Sequence, residues 1–241
     1  MRDILHDLRY SVRSLARTPG FALLAILTLA LGIGANSAIF SVINGVILKP
    51  LGYPQSDQLV MITSQFPTLG FDKFWVSPPE YFDLRERAKS FSEIGAYRST
   101  AVNLSEGDTP ERVNAVSASS SLFKVLGVPA YRGRVFNEQE DLPNSEPVAL
   151  VSYELWQRAF AGNAGLVGKQ IDIEGRKVLV LGIMPRGFDI HDAKAEVWFP
   201  LGLDPANRQN RGSHFLYLVG RMKPGVGLRQ ANAELNPMLA Q

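Results

Sequence analysis

The sequence predicts an α+β body carried on one N-terminal transmembrane helix, and three observations predict it. No charged residue occurs between Thr18 and Leu48, and Phe21 to Leu48 is a continuous 28-residue apolar run. Residues 50–241 carry 20 Lys+Arg against 21 Asp+Glu, the balance of an ordinary water-exposed polypeptide. Within them, short alternating segments of strand length are interleaved with segments of helical period. The chain of 241 residues has no cysteine, which excludes a disulfide-stapled module, a thiolate metal site and a cysteine nucleophile. A formal net charge of +2 gives no electrostatic reason to expect nucleic acid as a partner. The organisation read from the sequence is a cytoplasmic amphipathic helix at 1–18, a transmembrane helix at 19–49 and the body at 50–241.

Leu5, Leu8, Val12 and Leu15 recur at helical spacing, with Arg9, Arg13 and Arg17 as an opposite stripe. Such a pattern describes an interfacial helix, its apolar side in the headgroup layer and its arginines toward anionic lipid. The plainer alternative is a basic flank that only sets topology. As a helix, Phe21 to Leu48 is about 42 Å long. The hydrocarbon core is about 30 Å thick, so the helix tilts or projects beyond the lipid. A secretory signal peptide is the rival, with Arg2, Arg9, Arg13 and Arg17 as n-region, Phe21 to Leu31 as h-region and Ala35-Asn36-Ser37 as cleavage site. The long n-region and the apolar continuation from Ile39 to Leu48 count against cleavage. Four arginines precede the run and only Lys49 follows closely, which keeps the N-terminus cytoplasmic and residues 50–241 outside the inner membrane.

Small residues recur every fourth position along the run: Ala30, Gly34 and Ala38, with Ser37, Ser41 and Gly45 on a neighbouring stripe. Such stripes let another helix backbone approach closely. Asn36 and Asn44 are costly against lipid and favour facing protein. These residues are the candidate packing site; the alternative is a lone anchor in which Gly and Ala are merely common.

Beyond the run, Lys49-Pro50-Leu51-Gly52-Tyr53-Pro54 ends the helix. Leu59 to Thr63 reads as a strand. Ser77-Pro78-Pro79-Glu80 opens a helix with a capping serine and proline in the first turn, running to about Lys89. Arg98 to Leu104 and Arg112 to Ala118 alternate around Glu106-Gly107-Asp108 as a hairpin. A short helix at Ser121 to Leu126 follows, then a strand at Val148 to Val151 that enters a helix at Ser152. Gln170 to Ile173 and Val178 to Ile183 flank Glu174-Gly175-Arg176-Lys177 as a second hairpin. Glu196 to Phe199 and His214 to Val219 are further strands, and Leu228 to Leu239 is an amphipathic helix.

No constellation of reactive residues emerges, and the chain reads as no enzyme. His6, His191 and His214 are scattered; His191 stands beside Asp189 and Asp192 without a second histidine at ligand spacing. Gly32-x-Gly34 lies in the apolar run rather than after a soluble strand, and the chain has no Walker A loop and no GxSxG elbow. Ser119-Ser120-Ser121 reads as a helix cap. Glu80 and Asp83, with Glu138, Glu140 and Asp141, read as solvated acidic faces. Trp75, Trp156 and Trp198 read as core. Asn103-Leu104-Ser105 matches a glycosylation acceptor.

Four stretches carry a resemblance: Asp7 to Pro54 with its GIGAN segment, Ser77 to Tyr97, Pro147 to Phe188, and Gly220 to Leu235. Together they resemble the N-terminal part of a MacB-like, FtsX-type ABC transporter permease, closest to the duplicated permeases that carry no ATPase on their own chain. The resemblance implies a cytoplasmic amphipathic helix, a first transmembrane helix and a mixed α+β periplasmic core domain in two lobes. One lobe is built from the domain's two ends (roughly 57–120 and 200–241) and the other is inserted between them. It also implies three further spans beyond Gln241, which a reading frame continuing past that residue would test. Those spans are the expected partners of Ala30, Gly34, Asn36, Ala38, Ser41, Asn44 and Gly45. ATP is bound by a separate cytoplasmic ATPase and no cofactor by this chain; a homodimer is compatible with the family. In relatives, ATP hydrolysis moves transmembrane helices and long helices carry the motion outward, so a run longer than the bilayer fits a projecting stalk. Spin labels at Asn44 and Leu48 in water rather than at lipid depth are the expected result. The alternative function is a stand-alone membrane-anchored binding or sensor module, with an anchored hydrolase as a remainder.

Overall fold

The computed structural model describes Arg13 and residues 17–43, 52–105, 110–190 and 193–239. Two compact units divide the chain, Met1–Gly52 and Tyr53–Gln241. In the first, helix α1 spans Pro19–Ile43, 25 residues without a charge in its first or last turn. Its Pro19–Ala38 window has a mean hydropathy of 1.9 and none of it is buried, so it is long and apolar enough to cross a membrane. The interfacial helix expected at 1–18, and the end of the transmembrane helix at 44–49, lie outside the described residues apart from Arg13, Arg17 and Thr18.

The second unit is built on one mixed sheet. Its strands are β1 (Leu59–Ile62), β4 (Phe91–Leu104), β5 (Glu111–Ala118), β6 (Arg132–Gly133), β7 (Val148–Val151), β8 (Gln170–Ile173), β9 (Arg176–Ile183), β10 (Val197–Pro200) and β11 (Tyr217–Met222). A separate hairpin pairs β2 (Ser64–Phe66) with β3 (Phe71–Phe74). The sheet runs β1-β11-β4-β5-β10-β7-β9-β6, with β8 bridging β4 and β9. The β4–β5 ladder runs from Tyr97 opposite Ala118 to Leu104 opposite Glu111, as the alternation predicts; its turn at 106–109 lies outside the described residues. The two expected lobes are halves of this one sheet within a single compact unit. The chain-end strands β1, β11, β4 and β5 meet the inserted ones at a parallel β5–β10 pair, Ala115 opposite Val197 to Ala118 opposite Pro200.

Strand alternation distributes the core. Leu218 and Met222 of β11, with Leu216 just before it, face α2 (Pro78–Arg87) and α5 (Leu228–Leu239), packing with Tyr81, Phe82 and Leu235. Val219 faces the other way, with Leu122 and Phe123 of α3 (Ser120–Leu126). In the inserted half, Val197 packs with Leu155 and Trp156 of α4 (Tyr153–Phe160), while its neighbour Trp198 joins the α3 side.

The caps explain where helices begin, and they differ in kind. Ser152 Oγ accepts from the Leu155 N–H at 2.9 Å and so caps α4, the helix that the sequence enters at that residue. At α2 the Ser77 N–H and hydroxyl both donate to Glu80 Oε2 at 2.8 Å. Ser119 does not cap α3. Asp141 does so from a distant loop, accepting from Ser120 N–H at 2.8 Å with one oxygen and from Leu201 and Gly202 N–H at 2.8 and 3.2 Å with the other. The solvated reading therefore fails for Glu80, which is buried, and for Asp141. Burial pushes the Asp141 carboxyl above its ordinary range, against the backbone hydrogen bonds that lower it.

Glu234 ties α5 down, accepting from Lys89 and Ser90 N–H at 2.6 and 2.8 Å. Burial raises its carboxyl, but the bonds from Ser90 and Lys89 prevail and hold it below the ordinary 4.5. A depressed carboxyl contributes stability above its unfolded value that is lost as pH falls through the folded one. Glu234→Gln should cost at most about 1 kcal/mol at pH 7 and match the wild type near pH 3 in paired thermal melts; an equal penalty at both pH values would rule out the carboxylate tether.

Candidate functional site

Helix α1 places Ala30, Gly34 and Ala38 on one stripe, four residues apart, with Asn36 two positions along. All four are exposed, and a Cβ added at Gly34 would meet nothing within 4 Å. Ser41 lies in the same helix. Asn44 and Gly45 lie outside the described residues, as does Arg9; Arg13 and Arg17 are helical and exposed.

The first residues of the body are held by a clamp that the sequence did not announce. Arg221, on the α3-facing side of β11, donates to three backbone carbonyls: Nε to Val125 at 2.8 Å, Nη1 to Gln55 at 3.2 Å and Nη2 to Pro54 at 2.9 Å. It thereby bridges the segment that follows α1 to the end of α3. Gly127, left-handed at φ 68°, ends α3 where an added Cβ would lie 3.6 Å from Pro54. Tyr53 closes the other side. Its hydroxyl donates to the Asp189 carbonyl and its ring meets Phe188 edge-on, centroids 6.4 Å apart. Burial, and secondarily Asp189, push that hydroxyl up to about 12. An arginine in the alternating segment Tyr217–Met222 was the available signal, since a cation pointing at a core face needs acceptors. Arg221→Met should cost about 1.5–3 kcal/mol, the range for hydrogen bonds from a charged group, read as a lowered melting temperature.

The His214 side chain is largely buried, its Nε2 3.3 Å from Glu80 and its ring in T-shaped contact with Phe66 and Phe74. Asp83 is paired rather than solvated: Arg208 and Arg211 both reach it, and Arg208 also meets Glu86 and the Phe82 face at 4.8 Å. Glu138 pairs with Lys124, and Glu140 with Arg134. Among the described residues no three His, Asp or Glu side chains group as metal ligands; His191 and Asp192 lie outside them. Trp156 and Trp198 are core, whereas Trp75 is 44% exposed, contrary to expectation. It follows the β2–β3 hairpin, whose Phe74 it touches, and meets Tyr217 in a T-shaped contact, ring centroids 6.3 Å apart.

A family model, the MacB-like periplasmic core domain, matches residues 22–238. No curated relative matches the chain. Among solved structures, the fold is similar to the periplasmic region of MacB from Actinobacillus actinomycetemcomitans, at TM-score 0.58 and 17% identity over 76% of this chain and 82% of that one. It is also similar to the extracellular domain of the noncanonic ABC-type transporter YknZ from Gram-positive bacteria, at TM-score 0.55 and 13% identity over 75% of this chain and 92% of that one. The chain belongs to the family of the MacB-like periplasmic core domain, in keeping with its resemblance to MacB-like, FtsX-type ABC transporter permeases.

Proposed function

We propose that this chain is the N-terminal part of an ABC transporter permease subunit, anchored by α1 in the inner membrane with its N-terminus cytoplasmic and residues 53–241 outside. A separate cytoplasmic ATPase binds and hydrolyses ATP, further helices of the permease pack on the α1 stripe, and the motion reaches the body for export or mechanotransmission. The chain performs no covalent chemistry of its own. The observation that carries the reading is the Arg221 clamp: Arg221 of β11, the strand beside the sheet edge, bonds Pro54 and Gln55 as well as α3, so displacement of Pro54 and Gln55 pulls on the sheet. The family match and the basic residues ahead of α1 support it.

Because the chain has no cysteine, single introduced thiols test its topology. A membrane-impermeant maleimide should label Asn210→Cys in intact cells and label Ser11→Cys only after lysis; the reverse pattern would invert the proposed orientation. In the full-length protein with its cognate ATPase, a spin label at the same Asn210→Cys should change environment during ATP turnover, and Arg221→Met should blunt that change without reducing ATP hydrolysis. A full-length protein that associates with no ATPase would leave the anchored binding module as the function.

A further inference from the structure

The two ends of the sheet are finished differently. At one, β6 is only Arg132-Gly133, short and charged, the kind of edge that discourages pairing. At the other, β1 is Leu-Val-Met-Ile, paired with β11 on one side and, among the described residues, with no strand on the other. No charge and no proline guards it. An edge of this kind is a template for strand addition.

The surroundings of β1 select what can be added. A groove of about 460 Å³ separates β1 from α5, lined by Val60, Ile62 and Phe91 and by Leu235, with Asn232 and Asn236 beside them. On the opposite face of the strand, a hollow of about 500 Å³ lies among Met61, Phe71, Phe74, Trp75 and Tyr217. The two share Met61, Ile62 and Thr63. A strand laid along β1 sends successive side chains to opposite faces, so alternate residues enter the two hollows while its main chain bonds the free edge. None of the groove residues is charged, and Lys73 is the one charged residue at the hollow. That charge pattern matches an uncharged, apolar strand, whereas an anionic lipid surface is met by clustered basic residues. Self-pairing through β1 offers four residues a side, against about 20–30 a side in a stable interface.

We propose that the β1 edge is a strand-addition site for an extended, apolar-alternating segment of a partner polypeptide. The site is independent of ATPase coupling. Trp75 is the exposed tryptophan beside two buried ones, Trp156 at 4% and Trp198 at 0%, so its emission reports on the hollow. The full chain in lipid nanodiscs would be panned against a phage-displayed random dodecapeptide library, with Asn232→Arg, an exposed groove position, as counter-selection. Recovered peptides should alternate apolar residues, shift Trp75 emission to shorter wavelength and bind Asn232→Arg at least tenfold more weakly. N-methylation of alternate amides, which removes the ladder bonds and keeps the side chains, should weaken them at least tenfold; this arm needs no protein variant. Thermal melts of Asn232→Arg and Asn236→Arg establish that the blocked groove is still folded. Enrichment of no groove-dependent peptide, indifference to N-methylation, or cross-linking of two copies through Met61→Cys in place of peptide binding would each overturn the proposal.

Discussion

Gly95→Val will abolish the folded body, and Gly95→Ala will already lower its stability by about 3 kcal/mol or more, at the upper end of overpacking costs. A Cβ at Gly95 would lie 2.5 Å from Leu122 Cα and 2.9 Å from Leu122 N. The atoms it meets are the Leu122 backbone and its Cβ, whose position the backbone fixes, so no side-chain rotation relieves them. Helix α3 is also held at both ends, by Asp141 on the Ser120 N–H and by Arg221 on the Val125 carbonyl. Retreat from β4 would break one of those anchors, and through the second it would disturb Pro54 and Gln55 as well. Total stabilities of about 5–15 kcal/mol leave little room for such a loss. Thermal melts followed by limited proteolysis measure it; an alanine variant melting within about 2 °C of the wild type would mean that α3 moves freely off the strand.

Trp198→Ala should cost about 3–5 kcal/mol, while Trp198→Phe should cost less than about 1.5 kcal/mol. The side chain is fully buried and its ring lies 5.3 Å from that of Phe188. Truncation to alanine therefore opens a cavity where α3 and the inserted half meet. The indole N–H, however, is buried without a hydrogen-bond partner among the described residues. Phenylalanine keeps most of the apolar volume and removes a donor whose desolvation is uncompensated. The informative quantity is the difference between the two variants in denaturant melts; equal losses would mean that the indole nitrogen is bonded after all.

Local features were legible in the sequence and distant ones were not. Ser152 with Leu155, Ser77 with Glu80, and the β4–β5 alternation are decided within a few residues. The β8–β9 turn reads from the sequence as Glu174-Gly175-Arg176-Lys177; the structure tightens it to Glu174-Gly175, both at positive φ, 54° and 73°. Asp141 was misread because its partners at 120, 201 and 202 are distant in sequence. Trp75 was misread because its surroundings depend on a hairpin that begins at Ser64, and Pro67 and Gly70 were the only turn signals. The resemblance to a known family supplied the architecture that spacing alone left open. Arg221 falls within the resembling stretch Gly220 to Leu235 with no role attached to it, and the β1 edge falls in none; both acquire meaning only from strands adjacent in space.

The position of β11 also sets a timetable. It lies between β1 and β4 in the sheet, yet it is the last strand in the chain. At about 5–20 residues per second, the ribosome completes Met222 roughly 10–30 s after Ile62. Until then β1 has no neighbour and β4 lacks its partner on that edge, while β7, β9 and β10 already have all their partners. The nascent body should therefore fold from its middle outward, and an apolar Leu-Val-Met-Ile strand waits unpaired for the longest part of synthesis. Slowing translation between the codons of β10 and β11 should raise aggregation more than slowing it ahead of β1, with β1 as the segment that holding chaperones must cover.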